Sequence, residues 1–325
     1  MQSLTLSIVI VNWNVKNCLQ LCLESVYKTI LDEKEIIVVD NDSRDGSIEM
    51  IKEKFPKVSI IENNENVGFA KANNQAFNRC KGKYILILNP DTILLEESIS
   101  KLIDKLEMSP EIAMAGPKME MPDGIICLAC RRETFDLVKA FKVIWSIDPL
   151  VEKITRNLFI EKYNKFLSKY ERSEFVEAIS GACMLIKNDA LQEVGFFDEI
   201  VPLYLDDMDL CIRVNQKFKI AYVAESKVIH QRGASTKLRT NSHLMSLMMS
   251  YASYQFLNKH THWLSKKSYL LLLGLSSILM IFGIVSFSPI LIFTKYFKTA
   301  KQMFVLSCLR LQYCFTLKQY NLDEL

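Results

Sequence analysis

The sequence predicts an α/β fold: a mixed, mainly parallel sheet with flanking helices, followed by a C-terminal helical, membrane-associated region. Three observations carry this expectation. Short β-branched apolar runs alternate with helical patterns of 10–15 residues through the first two thirds of the chain, the rhythm of βαβ units with right-handed crossovers. Half of the 325 residues are hydrophobic and 24% are charged, enough for a packed core and too apolar for disorder. Near the end, 27 consecutive residues, Ser268–Thr294, carry no charge.

The elements follow in order. Leu6–Asn14 (LSIVIVNWN) is too short and too β-branched for a helix, and reads as a buried strand. Asn14 is placed to cap a helix whose Val15, Leu19, Cys22 and Val26 share one face. Glu35–Asp40 is a second strand, and DSRDGSIEMI enters a helix with acids at its start. Val58–Glu62 is a third strand, Phe69–Cys80 a helix and Lys83–Asp91 a fourth strand. A helix from about Glu96 to Met108 stops before Pro110, and IAMAG is a further strand. Ile179–Lys187 reads as one strand, Asn188–Val194 as a short helix, and a helix opens at Asp206, Asp207 and Asp209. KIAYVAES is a strand, and KVIHQRG after it carries His230.

In parallel α/β sheets ligands collect at the carboxyl ends of the strands. That rule selects Asn12–Asn14, Asp40–Asp42 and Asn89–Asp91. Asp and Asn side chains suit hydroxyls, base edges and a hard cation. Asp40 is suited to a ribose or base N–H, and Asp91 to a divalent metal beside a diphosphate. One Asp after a strand is as well explained by an Asx-turn or a helix cap; three such ends together are not. A G-x-G-x-x-G fingerprint and a P-loop are both missing from the sequence, which argues against a dinucleotide fold or an NTPase. Helix capping accounts for one or two of Asp206, Asp207 and Asp209. Crowded acids raise at least one pKa, a condition for general-base work near neutrality. Alone, His230 would read as structural; with these acids present it is a candidate ligand.

Net charge is +3 but uneven: from Asn241 onward eight basic and two acidic residues give +6, leaving −3 for the rest. A mildly acidic body with a basic, apolar tail points to a membrane surface, not nucleic acid. As a helix, Ser268–Thr294 would be roughly 40 Å long against a hydrocarbon core of ~30 Å. Pro289 is expected to end or kink it. Basic residues flank both sides, so charge does not orient the segment, and a re-entrant segment or a buried helix hairpin are the alternatives. Nine cysteines, an odd number lying mostly in apolar runs, read as buried thiols of a reducing compartment. Cys127 and Cys130 form a CxxC without the second pair that zinc requires. The run MQSLTLSIVIV has no basic n-region or cleavage site and is not read as a signal peptide.

Taken in order, SIVIVNWN, VVDNDSRDGS, NVGFAKANN, ILNPD, SGACMLI, GFFDE and DDMDLCIR resemble glycosyltransferase family 2, and within it the rhamnosyltransferase-type members, from about Leu6 to Gly233. The resemblance implies a GT-A fold. Residues 1–120 would form the nucleotide-sugar-binding half, 121–235 the acceptor-binding and catalytic half, and 236–325 a helical region with its hydrophobic segment at about 268–294. The implied reaction is an inverting transfer from a dTDP- or UDP-sugar to an acceptor hydroxyl, in assembly of O-antigen, capsule or cell-wall glycan. By position, Asp40 would bind the nucleotide in a pocket lined by Asn12 and Asn14. Asp42, Gly68, Asn73, Asn89 and Arg213 complete the implied substrate-binding set, with Phe69 beside Gly68. Asp91 resembles the last Asp of the metal motif, with Mg²⁺ or Mn²⁺ as cofactor, and His230 a second contact to metal or diphosphate. Asp207 resembles the general base, with Asp206 beside it. Two positions depart from the family pattern: Asn89 stands for the first Asp of the metal motif, and Asp206 for the usual Glu.

The implied partners are a glycan or lipid-linked acceptor and the cell membrane, with the catalytic side facing the cytoplasm. Residues 131–175, which mix basic, aromatic and helical patterns, would be an acceptor-facing lid or a surface helical hairpin. A sugar-nucleotidyltransferase would need a Gly-rich basic loop where this chain has NWNVKN. A catalytically inactive scaffold at the membrane is disfavoured by the intact Asp40, Asp91 and Asp207.

Overall fold

The computed structural model describes residues 5–28, 33–133, 168–200, 205–231, 242–260 and 263–291, with a few positions between 307 and 314. The four expected N-terminal strands are β1 (Leu6–Asn12), β2 (Lys34–Asn41), β3 (Ser59–Asn63) and β4 (Tyr84–Leu88). They pair in parallel in the order β3-β2-β1-β4. β1 and β4 are covered on both faces, so neighbours such as Ile8, Val9 and Ile10, or Ile85, Leu86 and Ile87, are all buried. That is why these strands are continuous apolar runs without alternation. Each such side chain contributes about 1.5–3 kcal/mol on burial.

The connecting helices are α1 (Lys16–Tyr27), α2 (Ser47–Lys54), α3 (Phe69–Phe77) and α4 (Ser98–Glu107). α1 buries Leu19, Cys22, Leu23 and Val26 on one face. Asn14 does not cap it. Its backbone is left-handed at φ 53°, which Asn tolerates, and its Oδ1 accepts the Arg44 N–H at 2.7 Å. The Lys16 N–H goes instead to Asp45 Oδ2 at 2.7 Å, while Asp45 Oδ1 accepts the Ser47 N–H at 3.1 Å. One carboxylate thus ties down the starts of α1 and α2.

Beyond β4 the sheet becomes mixed. β10 (Cys183–Lys187) lies antiparallel between β4 and β6 (Ile112–Glu120). β11 (Lys219–His230) runs parallel to β6, and β5 (Thr92–Leu94) and β8 (Glu174–Val176) pair antiparallel with β11. The two expected segments KIAYVAES and KVIH are this one strand, with an irregularity between Val223 and Lys227. The expected strand Ile179–Lys187 is divided at Ser180–Ala182. β9 (Ala178–Ile179) pairs with β7 (Arg131–Arg132) in a small ribbon, and β10 joins the main sheet. α5 (Asn188–Val194) and α6 (Asp206–Asn215) complete this part. The expected segments 1–120 and 121–235 therefore both feed one sheet. Of the insertion expected at 131–175, residues 134–167 lie outside the described residues.

The chain divides into two compact units, the first holding the sheet and α1–α6. The second contains α7 (Ser242–His260) and α8 (Trp263–Leu291), which pack through Leu257, Tyr269 and Leu273 with Tyr251, Tyr254, Leu270 and Cys314 around them. The described part of the region expected at 236–325 consists of helices α7 and α8, and α8 runs past Pro289 to Leu291. The bilayer crossing expected of residues 268–294 is not found: among the described residues no helix is long and apolar enough to cross a membrane. Part of the surface of α8 is engaged by protein, where Tyr269, Leu273, Ser276 and Ser277 are buried and both serine hydroxyls donate to the Leu273 carbonyl. Among the described side chains of α8, Leu271, Leu275, Ile278, Phe282 and Val285 form a stripe, each 48–71% exposed.

Candidate active site

The parallel strands deliver polar residues to one edge of the sheet. Asn12 and Asp40 are register partners at the ends of β1 and β2. Asn12 Nδ2 donates to Asp40 Oδ2 at 2.7 Å, and the Ser43 N–H donates to Asp40 Oδ1 at 2.8 Å. Both residues are fully buried, and Asn12 Oδ1 is left without a partner. Asp42, left-handed at φ 59°, pairs with Arg44 at 3.2 Å on the exposed side of the same turn.

The next layer is the VGFAKANN stretch. Gly68 precedes α3 at φ 85° and ψ 173°, a region open essentially to glycine alone, and its N–H donates to Asn66 Oδ1 at 3.1 Å. Asn73 is buried in α3, with Nδ2 on the Phe69 carbonyl at 2.9 Å and Oδ1 unpartnered. Its neighbour Asn74 holds both the N–H and the carbonyl of Phe197, at 3.0 and 2.9 Å. Phe77 stacks on Phe197 and Phe69 meets it edge-on. The GFFDE segment is thereby packed onto α3.

At the end of β4, Asn89-Pro90-Asp91-Thr92 forms a turn closed by Thr92 N–H to the Asn89 carbonyl at 3.1 Å, with proline where a turn favours it. The turn buries Asp91 and brings its Oδ1 to 3.2 Å from His230 Nε2 at the end of β11. Burial opposes a charge on His230, but hydrogen bonding to Asp91 and Cys127 outweighs it and pushes the pKa up to about 9. Adjacent ligands of a cation bound at about 2.1 Å lie roughly 3 Å apart, so one carboxylate oxygen and one imidazole nitrogen here would fit a divalent ion once the imidazole gives up its proton. Asn89, half-buried, opens the same turn. No group of three acidic, His or Cys ligands occurs among the described residues, so the remaining positions would fall to diphosphate and water. Cys127 and Cys130 are buried and joined in no disulfide.

The acidic cluster is divided by its partners. Asp209 is buried and pairs with Arg213 Nε at 2.9 Å, while the other Arg213 nitrogens donate to the carbonyls of Val194, Gly195 and Phe196 at 2.7–2.8 Å. Arg213 is thus engaged by the protein, clamping the end of α5 to α6. Asp206 is held well above the ordinary carboxylate range, first by burial and then by the charge of Asp207, and its Oδ1 accepts the Asp207 N–H at 2.9 Å. Asp207 Oδ2 meets Arg132 Nη2 at 2.5 Å and the Gly181 N–H at 3.0 Å; its Oδ1 is buried with no partner. A Cβ on Gly181 would lie 3.3 Å from Asp207 Cβ and 3.5 Å from the Phe69 ring, so the SGA, VGFA and DDMD segments meet at this point.

The cations that pair with this acidic cluster are the protein's own Arg132 and Arg213. Arg132 was missed as a site residue, as was Asn74. The sole trace of Arg132 in the sequence is a pair of arginines after the CxxC, and only the β7–β9 pairing carries it to α6.

Residues 7–195 match the model of Glycosyl transferase family 2. The chain belongs to glycosyltransferase family 2. This glycosyltransferase moves a sugar from a nucleotide sugar, and it is rhamnosyltransferase-like, as its motifs predict. It is 27% identical, over 70% of its own length and 76% of the relative's, to the N-acetylglucosaminyl-diphospho-decaprenol L-rhamnosyltransferase of Mycobacterium tuberculosis. An uncharacterised glycosyltransferase of Methanocaldococcus jannaschii is 25% identical over 76% of this chain and 75% of that one. Among solved structures, a mannosyltransferase of Pyrobaculum calidifontis in complex with GDP-Man and Mn²⁺ superposes with a TM-score of 0.52 at 14% identity, covering 97% of this chain and 88% of that one. TarS residues 1–349 of S. aureus with UDP-GlcNAc gives 0.51 at 12% identity, covering 98% and 93%. These likenesses establish the expected GT-A architecture for this glycosyltransferase.

Proposed function

We propose that this glycosyltransferase catalyses an inverting transfer from a dTDP- or UDP-sugar to a hydroxyl of a lipid-linked glycan, in assembly of a cell-surface polysaccharide. The observation that carries the reading is the Asp207 carboxylate, with one oxygen anchored by Arg132 and Gly181 and the other buried and unpartnered. An anchored carboxylate with one free oxygen is the equipment of a general base that takes the acceptor proton. Asp206, kept protonated by burial and by its neighbour, is the poorer base of the two. On the donor side, Asn12, Asn14, Asp40 and Asp42 line the nucleotide, with Gly68, Asn73 and Asn89 beside it. Asp91 and His230 hold a Mg²⁺ or Mn²⁺ ion, which would offset the charge of the leaving diphosphate.

The same reading places the enzyme at the cell membrane, with its catalytic unit on the cytoplasmic side where nucleotide sugars are made. The exposed stripe of α8 repeats at four- and three-residue intervals, which suits a helix lying in the headgroup region. Lys259, Lys266 and Lys267 near its start would each add roughly 1 kcal/mol against anionic lipid.

The test is a transfer assay with the full chain, Mn²⁺, a panel of dTDP- and UDP-sugars and a polyprenyl-diphosphate-linked acceptor, with the anomeric configuration of the product read by NMR. Transfer with inverted configuration is expected. A product of retained configuration, or turnover confined to soluble acceptors, would overturn the corresponding part of the reading.

A further inference from the structure

Arg132 is half-buried at the end of β7, its side chain 23% exposed, and a guanidinium so placed needs partners of its own. Arginine usually grips a carboxylate with two parallel N–H bonds, one to each oxygen. Here it does not. Nη2 alone reaches Asp207, on Oδ2 at 2.5 Å, and Nη2 also donates to the Ile179 carbonyl at 3.0 Å, while Nε is buried without a partner. The Gly181 N–H falls on the same Oδ2, at 3.0 Å. Two donors from two separate elements therefore converge on one oxygen and leave Oδ1 bare.

We propose that Arg132 is a positioning residue for the transfer, fixing the Asp207 carboxylate so that Oδ1 is the oxygen that takes the acceptor proton. This rests on the reading of Asp207 as general base. In that step the acceptor O–H breaks with its proton passing to Oδ1, and the acceptor oxygen bonds to the anomeric carbon. The bond from that carbon to the diphosphate breaks, and the diphosphate leaves with the electron pair. Arg132 touches none of the reacting atoms. Its contribution is orientation, together with a positive charge placed beside the carboxyl groups of Asp207 and Asp206. Arg132 interacts electrostatically with Asp207, Asp206 and Cys211, and Arg213 acts on Cys211 as well. Arg132 is thus a cation that offsets the two carboxyls.

The test compares Arg132→Met, Arg132→Gln and Arg132→Lys in the full chain, reading the pH profile of kcat for transfer and the affinity for donor nucleotide. Removing a cation beside a carboxylate raises the pH needed to ionise it, so the acid limb of kcat should move up by about one pH unit in Met and Gln. Plateau kcat should fall about tenfold or more while donor affinity stays within about twofold, because the loss concerns the base and not the nucleotide. Arg132→Lys keeps the charge and should leave the acid limb in place. Should Met fail to fold, Gln decides, because its neutral amide keeps a polar group in the half-buried position while removing the charge. An unmoved acid limb in the neutral variants overturns the proposal, and so does a loss of donor affinity equal to the loss of kcat, which marks a purely structural role. Asp207→Asn separates the two claims. If it transfers normally, the general-base reading itself falls; if it is inactive while Arg132→Gln behaves as wild type, only the role of Arg132 falls.

Discussion

Asp206 and Asp207 are adjacent, chemically identical and buried together, and their neighbours alone give them different states. Asp207 meets a guanidinium and a backbone N–H, whereas burial and the adjacent carboxylate push Asp206 toward the neutral form. Asp207→Asn should therefore lower kcat by about 10²–10⁴-fold while nucleotide affinity, measured by calorimetry, stays near wild type. Asp91→Ala should weaken donor binding and abolish its dependence on Mn²⁺, because a cation shared by carboxylate and diphosphate links the two affinities. The check is donor titration with and without excess chelator. The Asp91–His230 pair also carries a pH signature when no divalent cation is present. The folded-state pKa of His230, about 9, lies above its ordinary value of 6.5, so the pair's stabilisation is fully present below that value and is lost as pH rises through 9. The melting temperatures of wild type and His230→Gln should differ most at acid pH and converge above that range.

At the scale of elements, the site depends on interruptions of regular structure. The division between β9 and β10 frees the Gly181 N–H for Asp207, and a side chain at that position would press on both Asp207 and Phe69. The NPD turn after β4 aims Asp91 at the end of β11. Gly82 is a glycine for a different reason: a Cβ there would sit 2.5 Å from the Ser7 backbone nitrogen of the neighbouring strand β1, an approach that no side-chain rotation relieves. Gly82→Ala should cost about 1–3 kcal/mol in urea unfolding, an overpacking penalty, with no selective effect on catalysis. A variant with unchanged midpoint would mean that the strands separate without strain at that point.

At the scale of the molecule, chemistry and attachment belong to different compact units. The first unit contains every residue proposed for donor, metal and base; the second presents the apolar stripe of α8. Charges on that stripe should affect attachment and leave the chemistry alone. Leu271→Lys combined with Leu275→Lys and Ile278→Lys is expected to lower co-sedimentation with anionic phospholipid vesicles by about tenfold or more. Hydrolysis of the donor in solution should stay within about twofold of wild type, and transfer to a lipid-linked acceptor should fall with vesicle binding. Undiminished vesicle binding by the triple variant would remove the stripe from the attachment.

The amino-acid order specifies the strands, because runs such as Leu6–Val11 and Ile85–Leu88 can be satisfied only by burial on both faces of a sheet. It determined the strand-end position of Asp91 and the family, since both follow from local order along the chain. Tertiary structure decided what depends on pairing between distant segments. The β7–β9 ribbon brings Arg132 to Asp207, 75 residues further along, and no periodicity or composition signals that contact. It decided that Arg213, expected among the substrate contacts, grips three carbonyls and Asp209, because α5 ends beside α6. It also decided that α8 buries part of its surface in protein, which an apolar sequence cannot distinguish from burial in lipid. Apolar patterning reports that a side chain must leave water; only the fold says what it leaves water for.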